Sequence, residues 1–309
     1  MKCEPKGLQN NKNNEKNELL EYFYCEKCTN KAYSVDKLAS HKCDKNEIPS
    51  NNNDILMIDG VFLQENIITP EEENLIVQSI DNHTWMDSQS GRRKQDFGPK
   101  INFKKKKINF DPFQGLPEID IKILDKIKNE RIIKTDENER FEWSNVDAFT
   151  PERCDNILRN FKTVEVCHLE YLYVFICVFT RLFLMIYLFS FFYRPERGSS
   201  IDPHFDDFWI WGERLVTLNL LSSTVITLSY ENILIRVQLP ARSILVLYGD
   251  ARSKFKHAIE RSHVKSRRLA ITYRELPKGF LKKSSEDYIK FGQHFMYKSN
   301  NFIPYEVKI

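Results

Sequence analysis

The sequence predicts a mainly β (α+β) protein: a double-stranded β-helix, or jelly roll, buttressed by N-terminal helices. A small polar tail, disordered apart from a zinc-like unit, should precede it. Two observations carry this. From Val164 onward the chain breaks into short apolar runs, VEVCHLEY, RLVTLNLLS, VITLSY, ILIRVQL, SILVLYG and RLAITYREL. Turn signals separate them, as in a sandwich or barrel. Before them stand two segments of helical periodicity, and helices followed by antiparallel strands suit a jelly roll. Composition agrees: 13% of the 309 residues are aromatic, and aromatic side chains fit a pleated surface.

Residues 1–53 read as the tail. Asn10 to Glu18 is low-complexity, NNKNNEKNE, and too polar to bury a core. Residues 22–44 form a cysteine-bearing unit: Cys25 and Cys28 in C-x2-C spacing, then His41 and Cys43. Thiolates and imidazole are preferred zinc ligands, and Tyr33 and Leu38 could supply a small core. The His-x-Cys step is shorter than usual finger spacing, and Cys3 is an alternative ligand. The plainer reading is unconnected thiols in a tail. No apolar leader opens the chain, so an intracellular setting, cytoplasm and/or nucleus, is expected, where clustered cysteines suggest metal before disulfide.

The folded domain is expected over residues 54–280, with 281–309 as a C-terminal extension. ILMIDGVFL reads as strand and turn. Thr69, Pro70 and Glu72 mark a helix start by hydroxyl cap, proline and acid, with Leu75, Ile76 and Ile80 as its apolar face. A second helix should cover Glu118 to Asn129, with Ile119, Ile123 and Ile127 on one side.

The chemistry lies in PHFDDFW. Residues i and i+2 of a strand face the same way, so His204 and Asp206 converge. A third ligand from another strand completes a two-His, one-carboxylate facial triad, which leaves adjacent metal positions open. Downstream candidates are His257, His263 and His294. In RLAITYR, Arg268, Ala270, Thr272 and Arg274 share a face. Two buried guanidiniums need an anionic partner, and a dicarboxylate is one.

H-x-D, a distal HAI, and R-x-A-x-T-x-R eleven residues after that histidine resemble the AlkB family of iron(II)- and 2-oxoglutarate-dependent dioxygenases. GERLVTLNLLS, LPARSILVLYGDAR and SQSGRRKQDFGPKINF are similar to the branch of the fourth animal homologue. The resemblance covers most of residues 55–278. It implies that His204, Asp206 and His257 bind iron, and the HAI context sets His263 aside. It further implies that Arg268 pairs with the far carboxylate of 2-oxoglutarate, Arg274 lies near its other end, and Thr272 supports them. Arg92, Arg93 and Phe97 would belong to the substrate loop. The implied reaction is oxidative N-demethylation of a methylated protein lysine, as in actin, or of N6-methyladenine in DNA.

Net charge is +3, too small to declare a nucleic-acid binder. Residues 88–107, however, carry Arg92, Arg93, Lys94, Lys100 and Lys104 to Lys107 against Asp96 alone, interleaved with Phe97 and Phe103. That suits a phosphate backbone with a flipped base, an acidic protein surface, or a solvated hairpin. Trp209 and Trp211 read as cavity walls or plain core.

The family pattern has one keto-acid tyrosine shortly before Pro-x-x-Gly. Here Tyr171 and Tyr193 compete for that place, separated by an apolar run. Deleting 171–192 or 172–193 gives the same uninterrupted CHLEYRPERGSSIDPHFDD. His168 stands where an asparagine is common. Residues 172–193 could span a bilayer, with Arg181 the lone charge. A single crossing, though, would part the first strand from the iron strands. Three readings stand: a genuine span in a non-enzymatic protein, an apolar insertion within the fold, or translated non-coding sequence. The clean join favours the last, and an even deletion would preserve strand alternation. Membrane association is not expected of the native enzyme. The rival function is a non-catalytic jelly-roll or zinc-finger adaptor, membrane-tethered, which would have no need of Arg268 and Arg274.

Overall fold

The computed structural model describes residues 19–28, 30–43, 54–131, 157–172 and 198–304. Along the chain come β1 (Leu20–Cys25), β2 (Lys31–Ser34), α1 (Val35–Ser40), β3 (Ile55–Met57), β4 (Val61–Gln64) and α2 (Pro70–Asp81). Next are β5 (Met86–Asp87), β6 (Arg93–Phe97), the hairpin β7 (Lys100–Asn102) and β8 (Lys107–Asn109), β9 (Leu116–Pro117) and α3 (Glu118–Lys126). The strand-rich half holds β10 (Glu165–Tyr171), β11 (Ile201–His204), β12 (Leu215–Leu220), β13 (Thr224–Tyr230), β14 (Ile233–Leu239) and β15 (Ser243–Leu247). It closes with α4 (Gly249–Ser253), β16 (Lys256–Ile259), β17 (Arg268–Arg274), α5 (Lys278–Leu281), α6 (Gln293–Lys298) and β18 (Phe302–Ile303).

Two seven-stranded sheets form the body, the minor sheet in the order β11-β16-β13-β14-β1-β2-β3 and the major sheet in the order β4-β15-β12-β17-β10-β6-β5. Between them lies one core, with Ile226, Leu228, Ile235 and Val237 from the minor sheet against Leu215, Leu245, Leu247 and Ala270 from the major. The other face of the major sheet buries a second core under the helices: Leu218, Val246, Leu269, Ile271 and Tyr273 against Ile76, Ile80, Ile123 and Ile127. A sheet covered on both faces needs near-continuous apolar strands, which is why every residue of SILVL in β15 is buried. This is the jelly roll buttressed by helices that the strand pattern predicts.

Helix α2 starts on a full capping box between Thr69 and Glu72 with Pro70 in its first turn. Its buried face differs from expectation. Leu75 is about half exposed, and Glu73, Ile76, Ser79 and Ile80 turn inward. Glu73 is tolerated there because its carboxylate accepts the Leu221 amide at 2.7 Å. Helix α3 ends at Lys126 and continues as a wider turn through Arg131, whose guanidinium clamps Glu72 with contacts of 2.5 and 2.8 Å.

Two expected boundaries move. The fold begins before Ile55, because β1 pairs in parallel with β14 and β2 joins β1 to β3. At the far end, Phe280, Phe291 and Phe295 enter the helix-side core, so the stretch beyond residue 280 is part of the body. Tyr193 and the apolar segment 173–193 lie outside the described residues. The ends flanking that segment meet: Leu172 accepts the Ser199 amide at 3.2 Å and donates its own to the Ser199 hydroxyl at 2.9 Å. The strand-parity argument for an even deletion does not apply, because β10 ends at Tyr171 before the segment begins. Among the described residues no helix is long and apolar enough to cross a membrane.

Candidate active site

Strands β11 and β16 lie at the edge of the minor sheet, and their register sets His204 directly opposite His257. The two imidazole centroids are 4.3 Å apart. Asp206 lies beyond β11 rather than within it, yet it still reaches the pair. Its Oδ1 is 3.6 Å from His204 Nε2 and 4.0 Å from His257 Nε2. One ligand atom from each residue lies within 4.8 Å of the others, the spread expected of three donors facing one ion.

Arg274 holds the carboxylate from behind, its Nε donating to Asp206 Oδ2 at 2.8 Å. Arg252, which the sequence reading missed, donates to the Asp206 carbonyl at 2.9 Å. Burial alone would raise the Asp206 carboxyl. Arg274 and the two imidazoles instead hold it well below the usual carboxylate range. Burial lowers His257 to about 4, so that imidazole is neutral at pH 7, the form a metal requires. His204 is raised by its hydrogen bond to Asp206.

A cavity of about 250 Å³ runs from this cluster into the core between the sheets, and Tyr171, Arg268, Thr272 and Arg274 line it. Arg268 at its end is 1% exposed. Its Nε donates to Asn219 Oδ1 at 2.5 Å, and its guanidinium carbon stands 4.4 Å from the Tyr171 ring centroid. One of its two terminal nitrogens, Nη1, is buried without a hydrogen-bond partner. A guanidinium with an unmet donor at the end of a cavity fits a carboxylate. A dicarboxylic keto acid such as 2-oxoglutarate carries a group of that kind. Thr272 supports the wall, donating to the Cys167 carbonyl at 3.2 Å.

No family model matches the chain. Curated relatives do. The mouse protein "Alpha-ketoglutarate-dependent dioxygenase alkB homolog 4" is 35% identical over 254 residues, 72% of this chain and 69% of its own length. The human protein of the same name is 36% identical, covering 72% and 68%. A Caenorhabditis elegans "DNA N6-methyl adenine demethylase" is 34% identical, covering 80% and 70%. The chain belongs to the AlkB family of 2-oxoglutarate-dependent dioxygenases.

An open vestibule shares His204, Asp206, Glu165 and Arg274 with the inner cavity and adds Trp209, Trp211 and the β7–β8 hairpin residues Phe103 and Lys106. Both tryptophans wall it, although Trp211 is also core, only 4% exposed. The three residues assigned to the substrate loop separate. Arg92 lines the inner cavity. Arg93 turns to the opposite face of β6, where it pairs with Glu170 and lies 5.4 Å from the Trp85 ring centroid. Phe97 packs at 5.1 Å from His168 on that same far side. Alternation along a strand explains the split: Lys94 and Asp96 face the cavity, whereas Arg93, Gln95 and Phe97 face the helices. His168 also points away, bonded to Gln95 and Asp120 at 2.7 Å each, and does not line the cavity.

Residues that the sequence reading passed over complete the wall. Glu165 and Cys167 face inward on β10. They share the face of Tyr171 by the i, i+2 rule, and that was the available signal. Glu165 Oε1 accepts from Arg274 at 3.0 Å, while Oε2 is buried without a hydrogen-bond partner. Burial pushes this carboxyl up to about 7 against the opposing pull of Arg274.

The zinc-like unit gathers as its spacing anticipates. Cys25, Cys28, His41 and Cys43 each place a donor atom within 4.8 Å of the others. Tyr33, fully buried, stacks on His41 with centroids 3.9 Å apart. Leu38, expected beside it, is 37% exposed and stays outside this small core.

Proposed function

We propose that this AlkB enzyme removes a methyl group from a cationic methylated lysine presented on an acidic protein surface. Iron(II) would be held by His204, Asp206 and His257, and 2-oxoglutarate would be seated on Arg268. Iron, 2-oxoglutarate and dioxygen would together supply the oxidising power to hydroxylate an N-methyl carbon, with succinate and carbon dioxide as co-products; the resulting N-hydroxymethyl group would leave as formaldehyde and free the amine. The chain's own residues orient and select.

One observation carries the choice of substrate: the buried, unsatisfied Oε2 of Glu165, which borders both the inner cavity and the vestibule. An approaching ammonium would favour the ionised form of this carboxyl and give the orphaned oxygen its proton donor, and the tryptophan walls beside it suit a methylated cation. Lys106 already shows the match, its Nζ 5.9 Å from the Trp209 ring centroid. Outside, Lys100 and Lys104 to Lys107 on the β7–β8 hairpin are exposed. They would meet acidic residues flanking the lysine, as on an actin-like protein. A second reading, N6-methyladenine in DNA, is favoured by the same basic hairpin and by the name of the worm relative. Zinc in the Cys25, Cys28, His41 and Cys43 cluster completes the proposal, as a structural ion.

The test is formaldehyde release from monomethyl-lysine peptides with acidic flanks and from N6-methyladenine oligonucleotides. Glu165→Gln should raise KM for the peptide about tenfold, the loss of one charge-assisted contact, with a smaller change in kcat. If the oligonucleotide is the better substrate and Glu165→Gln leaves it untouched, the DNA reading replaces this one.

A further inference from the structure

We infer that zinc at Cys25, Cys28, His41 and Cys43 is a clasp that locks the N-terminal strands onto the catalytic minor sheet, so that loss of this ion loosens the sheet carrying His257. The inference rests on the zinc proposal above and adds what the ion does.

The donor set decides the kind of site. Three thiolates and one imidazole close a tetrahedron and leave no open position, the pattern of a structural ion. The spacing agrees. Cys25 and Cys43 place their sulfurs 3.8 Å apart, far beyond the roughly 2.05 Å of a disulfide. With zinc–sulfur bonds of about 2.3 Å, the sulfur–sulfur edge of a tetrahedron is about 3.8 Å. Cys28 Sγ lies 3.2 Å from His41 Nε2, and the matching sulfur–nitrogen edge is about 3.6 Å. Entry of the ion therefore needs that pair to open by about 0.4 Å, a small side-chain adjustment. Stacking on Tyr33 fixes the His41 ring.

The placement decides the role. Cys25 is the last residue of β1 and Cys28 ends the short turn after it. His41 and Cys43 follow α1, which itself follows β2. The ion would thus tie both ends of the β1–β2–α1 unit together. That unit is not an appendage. Residues Leu20–Phe23 pair with Ile233–Arg236 of β14, Glu21 pairs with Arg236, and the Tyr24 hydroxyl donates to the Val61 carbonyl of β4 at 2.9 Å. Tyr22 and Tyr24 share the inter-sheet core with Ile235 and Val237. Without the unit, β14 becomes a bare edge, and only β13 separates it from β16 and His257. A bare apolar edge frays first.

The experiment uses the full chain carrying His204→Ala, which disables the other metal cluster, with zinc content, melting temperature and hydrogen exchange as readouts. About one zinc per chain is expected. Chelation should lower the melting temperature by about 10 °C and speed exchange along β1 and β14, and added zinc should restore both. Cys43→Ser should reproduce the chelated state, whereas Cys167→Ser should keep its zinc. A full chain that binds no zinc overturns the zinc proposal itself. A chain that binds and loses zinc with melting temperature and β14 protection unchanged overturns the clasp alone.

Discussion

Replacing Arg268 by methionine separates binding from folding more cleanly than any other single change in the cavity. In the ligand-free fold the guanidinium is 1% exposed with Nη1 unpartnered, and burial works against its charge. A hydrophobic side chain of similar length removes an incompletely satisfied buried cation, which is neutral to stabilising. The ligand-free Arg268→Met protein should therefore melt no lower than the parent. The bound state differs. A buried carboxylate stripped of its charged partner costs about 3–5 kcal/mol, so the Kd for 2-oxoglutarate should rise about a hundred- to a few-thousand-fold. At a ligand concentration of about 100 times the parental Kd, binding stabilises the parent by about 2.7 kcal/mol and the variant by about 0.4 kcal/mol or less. For a domain of this size the parental gain is a shift of about 5–10 °C. The assay is anaerobic thermal denaturation with iron(II) across a 2-oxoglutarate titration. A variant shift equal to the parent's would refute the seat at Arg268. A large drop in its ligand-free melting temperature would refute the claim that the guanidinium is a burden on the empty fold.

Further outcomes are expected. His204→Ala and Asp206→Ala should abolish succinate formation while circular dichroism stays parental; His263→Ala should retain turnover, because His263 sits beside Arg236 and lines no part of the cavity. Glu165 holds a proton up to about pH 7 in the fold and only to about pH 4.5 unfolded, so its contribution to stability is full below 4.5 and lost as pH rises through 7. Urea titrations of Glu165→Gln and parent should thus show a stability difference that shifts in favour of the variant across pH 4.5–7 and is flat above and below. Changing Lys104 to Lys107 to alanine should raise KM for acidic peptides and flatten its salt dependence, measured from about 50 to 200 mM salt. Removing residues 172–193 should give a soluble protein that turns over 2-oxoglutarate; an insoluble or inactive product would make that segment part of the working fold.

Local chemistry made much of this legible beforehand. The Thr69–Pro70–Glu72 start of α2 reads directly, because every capping group lies within one turn. Strands β12 to β15 and β17 read as apolar runs because they are covered by core. What failed to read depends on partners distant in sequence. The parallel pairing of Leu20–Phe23 with Ile233–Arg236 leaves no local mark, so β1 reads as tail. Charge and aromaticity group Arg93 and Phe97 with Arg92; only the strand register of β6 reveals that they face the helices. Leu75 sits at a helical spacing that fits a wider apolar stripe than α2 buries. Within the site, the triad and Arg268 were visible as motifs, whereas Glu165 became visible only once Tyr171 fixed which face of β10 looks inward.

The meeting of Leu172 and Ser199 makes this point of the chain nearly indifferent to length. Closing a flexible connection costs chain entropy that grows only as the logarithm of its length. Between Tyr171 and Ser199 lie 27 residues, and removal of 172–193 would leave five. The longer connection is less favourable by about 1.5 kcal/mol, within reach of a single good core contact. Among the described residues, the hydrogen bonds at this junction are made by the Leu172 and Ser199 backbones and the Ser199 hydroxyl. A cassette can therefore be gained or lost here without re-registering either sheet, and an unrelated folded module with adjacent termini should be accepted at the same place.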